Sequence, residues 1–201
     1  MGAKHVMAVS GLLLLLFAIF HMLGHLQMFG GPDLYNSYAH FLQRLWEVKW
    51  PVRAGLLLLL IVHVVIAIGL VAKNRAARPT RYAVYRPVVS SAIGRTMAYS
   101  GMIVFAFLAF HIWQFTINPA PNGDTYGMFV HAFRRPEIYA VYLVGIAMLC
   151  SHLGHGAASW LQSLGLRHPK YKTDPLGPIV AVSLFVGYML PPTAVLVGAI
   201  S

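Results

Sequence analysis

Five stretches of this chain carry no Lys, Arg, Asp or Glu: between Lys4 and Asp33, between Arg53 and Lys73, between Arg95 and Asp124, between Glu137 and Arg167, and from Leu176 to Ser201. A helix rises about 1.5 Å per residue, so about 20 apolar residues cross the roughly 30 Å of hydrocarbon in a bilayer. Each stretch reaches that length or comes close to it. Inside hydrocarbon every backbone polar group needs an internal partner, and a helix supplies one within a single segment. The chain therefore reads as an all-α integral membrane protein with five spans, at about residues 6–29, 52–72, 94–117, 137–164 and 177–198. One membrane domain takes up residues 1–201. Composition agrees, with 58% hydrophobic and 10% charged residues against about 25% charged in soluble domains.

The punctuation between spans is plain. The first run continues through Phe29, longer than a cleaved leader's apolar region, and Gly30-Gly31-Pro32 should stop it. The following segment, Tyr35 to Leu45, is amphipathic and suits the membrane interface. Pro51 is a good first-turn residue for the second span. Asn118-Pro119 closes the third, and Pro121-Asn122-Gly123-Asp124 reads as loop. The fourth opens after Pro136 with Gly165 as its C-cap. Pro191-Pro192 is expected to kink or break the fifth. No helix is expected to contain a carboxylate, and no internal repeat stands out.

Net charge is +10, and its placement sets topology. With the N-terminus inside, Lys4, Lys73, Arg75, Arg78, Arg81, Arg86, Arg95, Arg167, Lys170 and Lys172 fall on one side, ten of the fifteen basic residues. Short cytoplasmic loops carry such an excess, so the N-terminus is expected in the cytoplasm. The basic loops serve topology and anionic lipid, with docking of a soluble partner as a second use. Nucleic acid has no place in this reading.

Cys150 is the one cysteine, which excludes an internal disulfide, a cysteine-ligated cluster and a C-x-x-C-H haem attachment. A redox cofactor would have to be held by histidine. Six of the ten histidines fall inside predicted spans: His21, His25, His63, His111, His152 and His155. Ionisable groups at such depth are costly and mark function, although a single one often only bridges helices. From the inner end, His21 and His111 lie at about 22 Å and His63 and His152 at about 14 Å. The first and third spans thus supply one pair, and the second and fourth another. Diagonal helices of a four-helix bundle present imidazoles to a planar macrocycle in this way. Each second ring nitrogen then needs a carbonyl or hydroxyl partner. His25 and His155 stand four and three residues from these positions. They either hydrogen-bond a cofactor edge, a propionate or a quinone, or bridge helices.

His21-Met22-Leu23-Gly24, Leu26-Gln27, Ile61-Val62-His63, Phe110-His111-Ile112-Trp113 and His152-Leu153-Gly154-His155-Gly156 together resemble one family. It is the cytochrome b membrane anchor of the dihaem succinate dehydrogenases and quinol:fumarate reductases. Tyr35-Asn36-Ser37-Tyr38-Ala39-His40, Ile93-Gly94-Arg95 and Gln162-Ser163-Leu164-Gly165 add to the likeness, which spans nearly the whole chain.

The resemblance implies two haem b groups in a bundle of the first four spans, His21 and His111 ligating the outer one and His63 and His152 the inner one. It also implies an iron–sulfur subunit and a flavoprotein subunit on the cytoplasmic face of a bacterial inner membrane. The anchor's part would be electron transfer between them and a membrane quinone, menaquinone being favoured. Ser10 and Arg95 near the inner face, and His25, Gln27, His40 and His155, are candidate quinone or propionate contacts.

Two departures stand out. His25 occupies a place where many relatives have asparagine, and Cys150 stands where some fumarate reductases carry glutamate. Two other readings remain: the cytochrome b subunit of a nitrate reductase or hydrogenase, and a transporter using histidine for metal or protons.

Overall fold

A computed structural model describes residues 2–77, 96–118, 121–165 and 175–201. Five of its helices are long and apolar enough to cross a membrane, and no strand occurs among the described residues. The chain is a multi-pass helical membrane protein. Arg95, the basic segment with Pro79, Tyr82, Tyr85 and Pro87, and Arg167, Lys170 and Lys172 lie outside the described residues.

Helix α1 (Ala3–Leu26) gives way to a 3-10 turn, Gln27–Gly30. Gly31 then takes φ 88°, a backbone angle that favours glycine. That corner starts α2 (Gly31–Arg44), with Pro32 in its first turn. The expected stop is therefore a tight change of direction between two helices.

Helix α3 (Trp46–Ala76) begins five residues before Pro51, so that proline lies within the helix. The early start is fixed by Val48 and Lys49, whose N–H groups both donate to the Leu45 carbonyl at 3.0 and 2.7 Å. It also brings Glu47 into the first turn, just as α6 (Pro136–Ser163) takes in Glu137. The expectation of helices without carboxylates is thus corrected at their ends: termini extend into polar flanks where water still reaches.

Helix α4 (Met97–Ile112) ends in a π-helical turn, Trp113–Ile117. The segment after it, expected as loop, contains a short helix, α5 (Thr125–Phe133), which buries Tyr126, Phe129, Val130, Ala132 and Phe133. Asn122 (φ 55°) and Gly123 (φ 76°) form the left-handed turn before it. Asp124 caps it by accepting from the Gly127 N–H at 2.9 Å. Asn36 of α2 ties this corner down, donating to Asp124 at 3.0 Å and accepting from the Tyr126 N–H at 2.9 Å.

Helix α7 (Leu176–Leu196) runs unbroken through Pro191 and Pro192, both buried. The expected break does not occur. Proline's fixed φ is itself helical, so a helix continues when the two missing N–H bonds and ring crowding can be absorbed. Here α7 is held from outside: the Tyr188 hydroxyl donates to the Ala18 carbonyl at 2.6 Å, and Tyr139 and Thr193 hydroxyls meet at 3.0 Å.

Helices α6 and α7 meet through small residues. A Cβ on Gly154 would lie 2.5 Å from the Gly177 carbonyl oxygen and 2.7 Å from Ala181 Cβ. In lipid, association depends on such close packing rather than on hydrophobic expulsion. Helix α3, by contrast, buries none of its residues. Most of the buried core gathers where α5, the ends of α4 and α6, and the start of α2 converge.

Gly154→Leu should therefore destabilise the fold by about 1–3 kcal/mol through overpacking, read as a lower thermal midpoint in detergent. Gly156→Leu is the control, because no atom lies within 4 Å of its added Cβ. The Asp124 corner predicts a pH effect. The Gly127 N–H, then Asn36, hold the Asp124 carboxyl below the usual carboxylate range. Its contribution is complete above the unfolded value of about 3.9 and is lost as pH falls through the lower folded one. Protease cleavage around Asn122-Gly123 should be unchanged from pH 7 to 5 and rise only below pH about 4.

Candidate functional site

Four spans each bring one histidine to the interior. The His21 and His111 rings lie 5.8 Å apart, centre to centre, and the His63 and His152 rings 6.3 Å apart. The ring planes are steeply inclined in both pairs, at 81° and 70°. Alternating spans thus supply partners: α1 with α4, and α3 with α6.

The surroundings of the second pair are set by two serines. Ser10 and Ser100 are buried, at 3% and 5% exposure. Each hydroxyl spends its single proton on its own helix, Ser10 Oγ donating to the Met7 carbonyl at 3.1 Å and Ser100 Oγ to Met97 at 3.0 Å. Each oxygen is then left as an acceptor. His63 Nδ1 lies 3.2 Å from Ser10 Oγ, and His152 Nδ1 lies 3.1 Å from Ser100 Oγ. Both Nδ1 atoms must therefore carry hydrogen and donate. In a neutral imidazole that leaves the Nε2 lone pair for a metal.

The glycine after each serine serves the same ring. A Cβ on Gly11 would stand 3.3 Å from His63 Cε1, and one on Gly101 3.6 Å from His152 Cε1. Ser10 was expected as a propionate or quinone contact; its hydroxyl is instead committed to His63.

The first pair is less symmetric. His111 Nδ1 meets the Tyr142 hydroxyl at 3.1 Å. His21 Nε2 instead lies 3.2 Å from His25 Nε2, and His25 Nδ1 lies 3.0 Å from the buried Tyr35 hydroxyl. Both ring nitrogens of His25 are thus engaged, in a bridge from α1 to α2.

His155 has a different partner from His152. Ser159 donates its hydroxyl proton to the His155 carbonyl at 2.9 Å, and His155 Nε2 lies 3.2 Å from the same oxygen. His155 Nε2 therefore carries the hydrogen, and His155 is satisfied within its own helix. Gln27 sits half-buried in the 3-10 turn. His40 is exposed on α2 with its ring against Gly123.

A group ligated by two imidazoles fits these residues. With metal–imidazole bonds of about 2 Å and ring centres about 1 Å behind each nitrogen, two imidazoles sharing one metal would have centres about 6 Å apart, close to the spacing of both pairs. The serines fix the required tautomer on two of the four rings. No cluster of three or more histidine, cysteine or carboxylate side chains that could hold a metal ion occurs among the described residues.

Ser100 and Tyr142 had no part in the sequence reading, and Tyr35 entered it only as part of the α2 segment, yet a signal for Ser100 was present. Ser10, Gly11, Phe17, Phe20 and His21 recur 90 positions later as Ser100, Gly101, Phe107, Phe110 and His111. The likeness is local to these two helix segments. Their residues repeat their roles: Phe17 and Phe107 flank His21 and His111 at 5.5 and 6.3 Å.

Fold and site together define a multi-pass membrane protein with two layers of paired histidines. Compared with known protein families, curated proteins and solved structures, the chain matches none.

Ser10→Ala and Ser100→Ala each leave a buried Nδ1–H without an acceptor. Each should cost about 1–3 kcal/mol, measured as loss of unfolding free energy in detergent. Ser159→Ala, whose loss frees only a half-buried ring, should cost less.

Proposed function

We propose that this chain is the dihaem cytochrome b anchor of a succinate:quinone oxidoreductase of the bacterial cytoplasmic membrane. His21 and His111 hold one haem b, and His63 and His152 the other. The observation that carries the reading is the pairing of four histidines from alternating spans, two of them fixed by serine in the tautomer that leaves Nε2 free.

Bound haem supplies a one-electron relay. The chain's own residues prepare for it. Ser10 and Ser100 orient His63 and His152, and Tyr142 meets the far nitrogen of His111. Apolar side chains of the spans exclude water, which makes each hydrogen bond to a ligand ring count for more than it would at the surface. The excess of Lys and Arg on the N-terminal side supports a cytoplasmic N-terminus. On that side the iron–sulfur and flavoprotein subunits dock and exchange electrons with the His63–His152 layer. The His21–His111 layer then faces the opposite surface and a membrane quinone, for which menaquinone is favoured. The chain serves the enzyme as its electron-transfer subunit, with the dicarboxylate chemistry held elsewhere.

Pyridine haemochrome assay of the purified chain should find two haem b per polypeptide, and fewer would overturn the assignment. His63→Ala and His111→Ala should each lose one haem and keep the other, distinguishable in reduced-minus-oxidised spectra. His25→Ala and His155→Ala should keep both.

A further inference from the structure

At the end of the bundle where α1 finishes, a cavity of about 230 Å³ opens between the π turn of α4, the helix α5 and the start of α6. Gln114 and Phe115 line it from α4, Met128 and His131 from α5, and Arg135 and Ile138 from the entry to α6. Gln114 Oε1 is buried there and has no hydrogen-bond partner. A buried acceptor left unpaired is costly, so a site that retains one calls for a donor from outside the chain.

The chain's own donors at the cavity are committed elsewhere. Asn118 borders it, but its backbone N–H and its side-chain amide both donate to the Trp113 carbonyl, at 3.3 and 2.8 Å. That five-residue step is the π turn that places Gln114 against the cavity. Arg135, exposed at the rim, donates its Nε–H to Glu137 at 2.7 Å. The carboxylate offsets its charge, and the guanidinium has further N–H groups to give. The opening therefore combines an acceptor at its floor with donors at its edge, and the ion pair beside it carries no net charge.

We infer that this cavity seats the head of an ethanolamine phospholipid from the adjoining leaflet. The ammonium brings N–H donors to Gln114 Oε1, and the phosphate accepts from Arg135. A choline head carries the same phosphate but no N–H, so it leaves Gln114 unpaired. An anionic head meets an arginine already neutralised by Glu137. Size agrees with a headgroup: pockets that enclose a drug-sized ligand run to roughly 300–1,000 Å³, so this smaller one suits a ligand whose body stays outside. Phe115, Met128 and Ile138 line the way for the glycerol and the first acyl carbons. Trp113, exposed on the π turn, stands where interfacial aromatics meet the headgroup layer. The site needs no haem and goes beyond the electron-transfer role proposed above.

The test is the thermal midpoint of the full-length protein, purified in detergent and stripped of lipid, as dioleoyl phosphatidylethanolamine, phosphatidylcholine or phosphatidylglycerol is titrated in. A ligand that binds only the folded state raises that midpoint. In wild type the ethanolamine lipid should half-saturate at a concentration about tenfold lower than the choline lipid. Gln114→Leu should erase this preference. Its lipid-free midpoint should be no lower than that of wild type, because the variant removes an unpaired buried acceptor. Arg135→Gln should weaken ethanolamine and choline lipids alike, since both present the phosphate. Absence of the preference in wild type overturns the site, as does a preference that survives in Gln114→Leu. A lower lipid-free midpoint in Gln114→Leu would show that Gln114 serves the fold alone and overturn it as well. Phosphatidylglycerol binding more tightly than the ethanolamine lipid would identify plain charge attraction, and displacement of the ethanolamine lipid by equimolar menadiol would give the opening to a ring-shaped ligand; either result sinks the assignment.

Discussion

An imidazole in an apolar span has two nitrogens to satisfy and almost nothing nearby to satisfy them with. The rest of this structure is arranged around that constraint. A serine on a neighbouring helix that sends its hydroxyl proton elsewhere accepts from one ring nitrogen and leaves the lone pair on the other, and both Ser10 and Ser100 use the carbonyl three residues back in their own helix. The cost is a helix position occupied by a residue that competes with the backbone. In return each ring is held at one nitrogen and left with a lone pair at the other. The glycine after each serine lets the imidazole sit close against the supporting helix, more tightly at Gly11 than at Gly101.

The same solution occurs twice. Helix α1 supports His63 of α3 in the way that α4 supports His152 of α6, and the supporting helices are alike in sequence from the serine through the histidine. Two like supporting helices therefore build the symmetric layer. Symmetry fails in the other layer. His111 meets Tyr142 of α6, whereas His21 meets His25 from one turn further along its own helix. Groups that hydrogen-bond a ligand ring tune a bound metal, so a cofactor held by each layer would meet unlike surroundings even with histidine on both sides of each.

The spans were legible in the sequence because the absence of charge over about 20 residues admits few structures in lipid. The pairing of His21 with His111 and of His63 with His152 was legible as matched depth, since helical rise converts residue number to height. The serines were hidden by a different kind of distance: Ser10 and His63 are 53 residues apart, Ser100 and His152 52 apart, and nothing local connects them. Helix α5 was missed for another reason. The run Pro121-Asn122-Gly123-Asp124 reads as turn and is one, but Asp124 is also a cap, and Tyr126, Phe129, Val130 and Phe133 repeat at helical spacing behind it. Turn residues hid the start of a helix they initiate. At Pro191-Pro192 the local rule failed because neighbouring helices hold α7 in place.

The features that sequence concealed gather at one end of the molecule. The 3-10 turn and left-handed Gly31, the π turn, helix α5, the His25–Tyr35 bridge and the unpaired Gln114 oxygen all lie beyond the His21–His111 layer. Among the described residues, regular helix surrounds the serine-supported pair. Irregular backbone in a membrane protein persists only where it is buried in protein or lines a cavity. A layer that passes electrons onward within a fixed frame needs only rigid, symmetric support. A layer that exchanges them with a mobile lipophilic molecule needs an opening and a wall that can be shaped. On the electron-transfer role proposed above, the unlike surroundings of the two described layers answer to that difference in task.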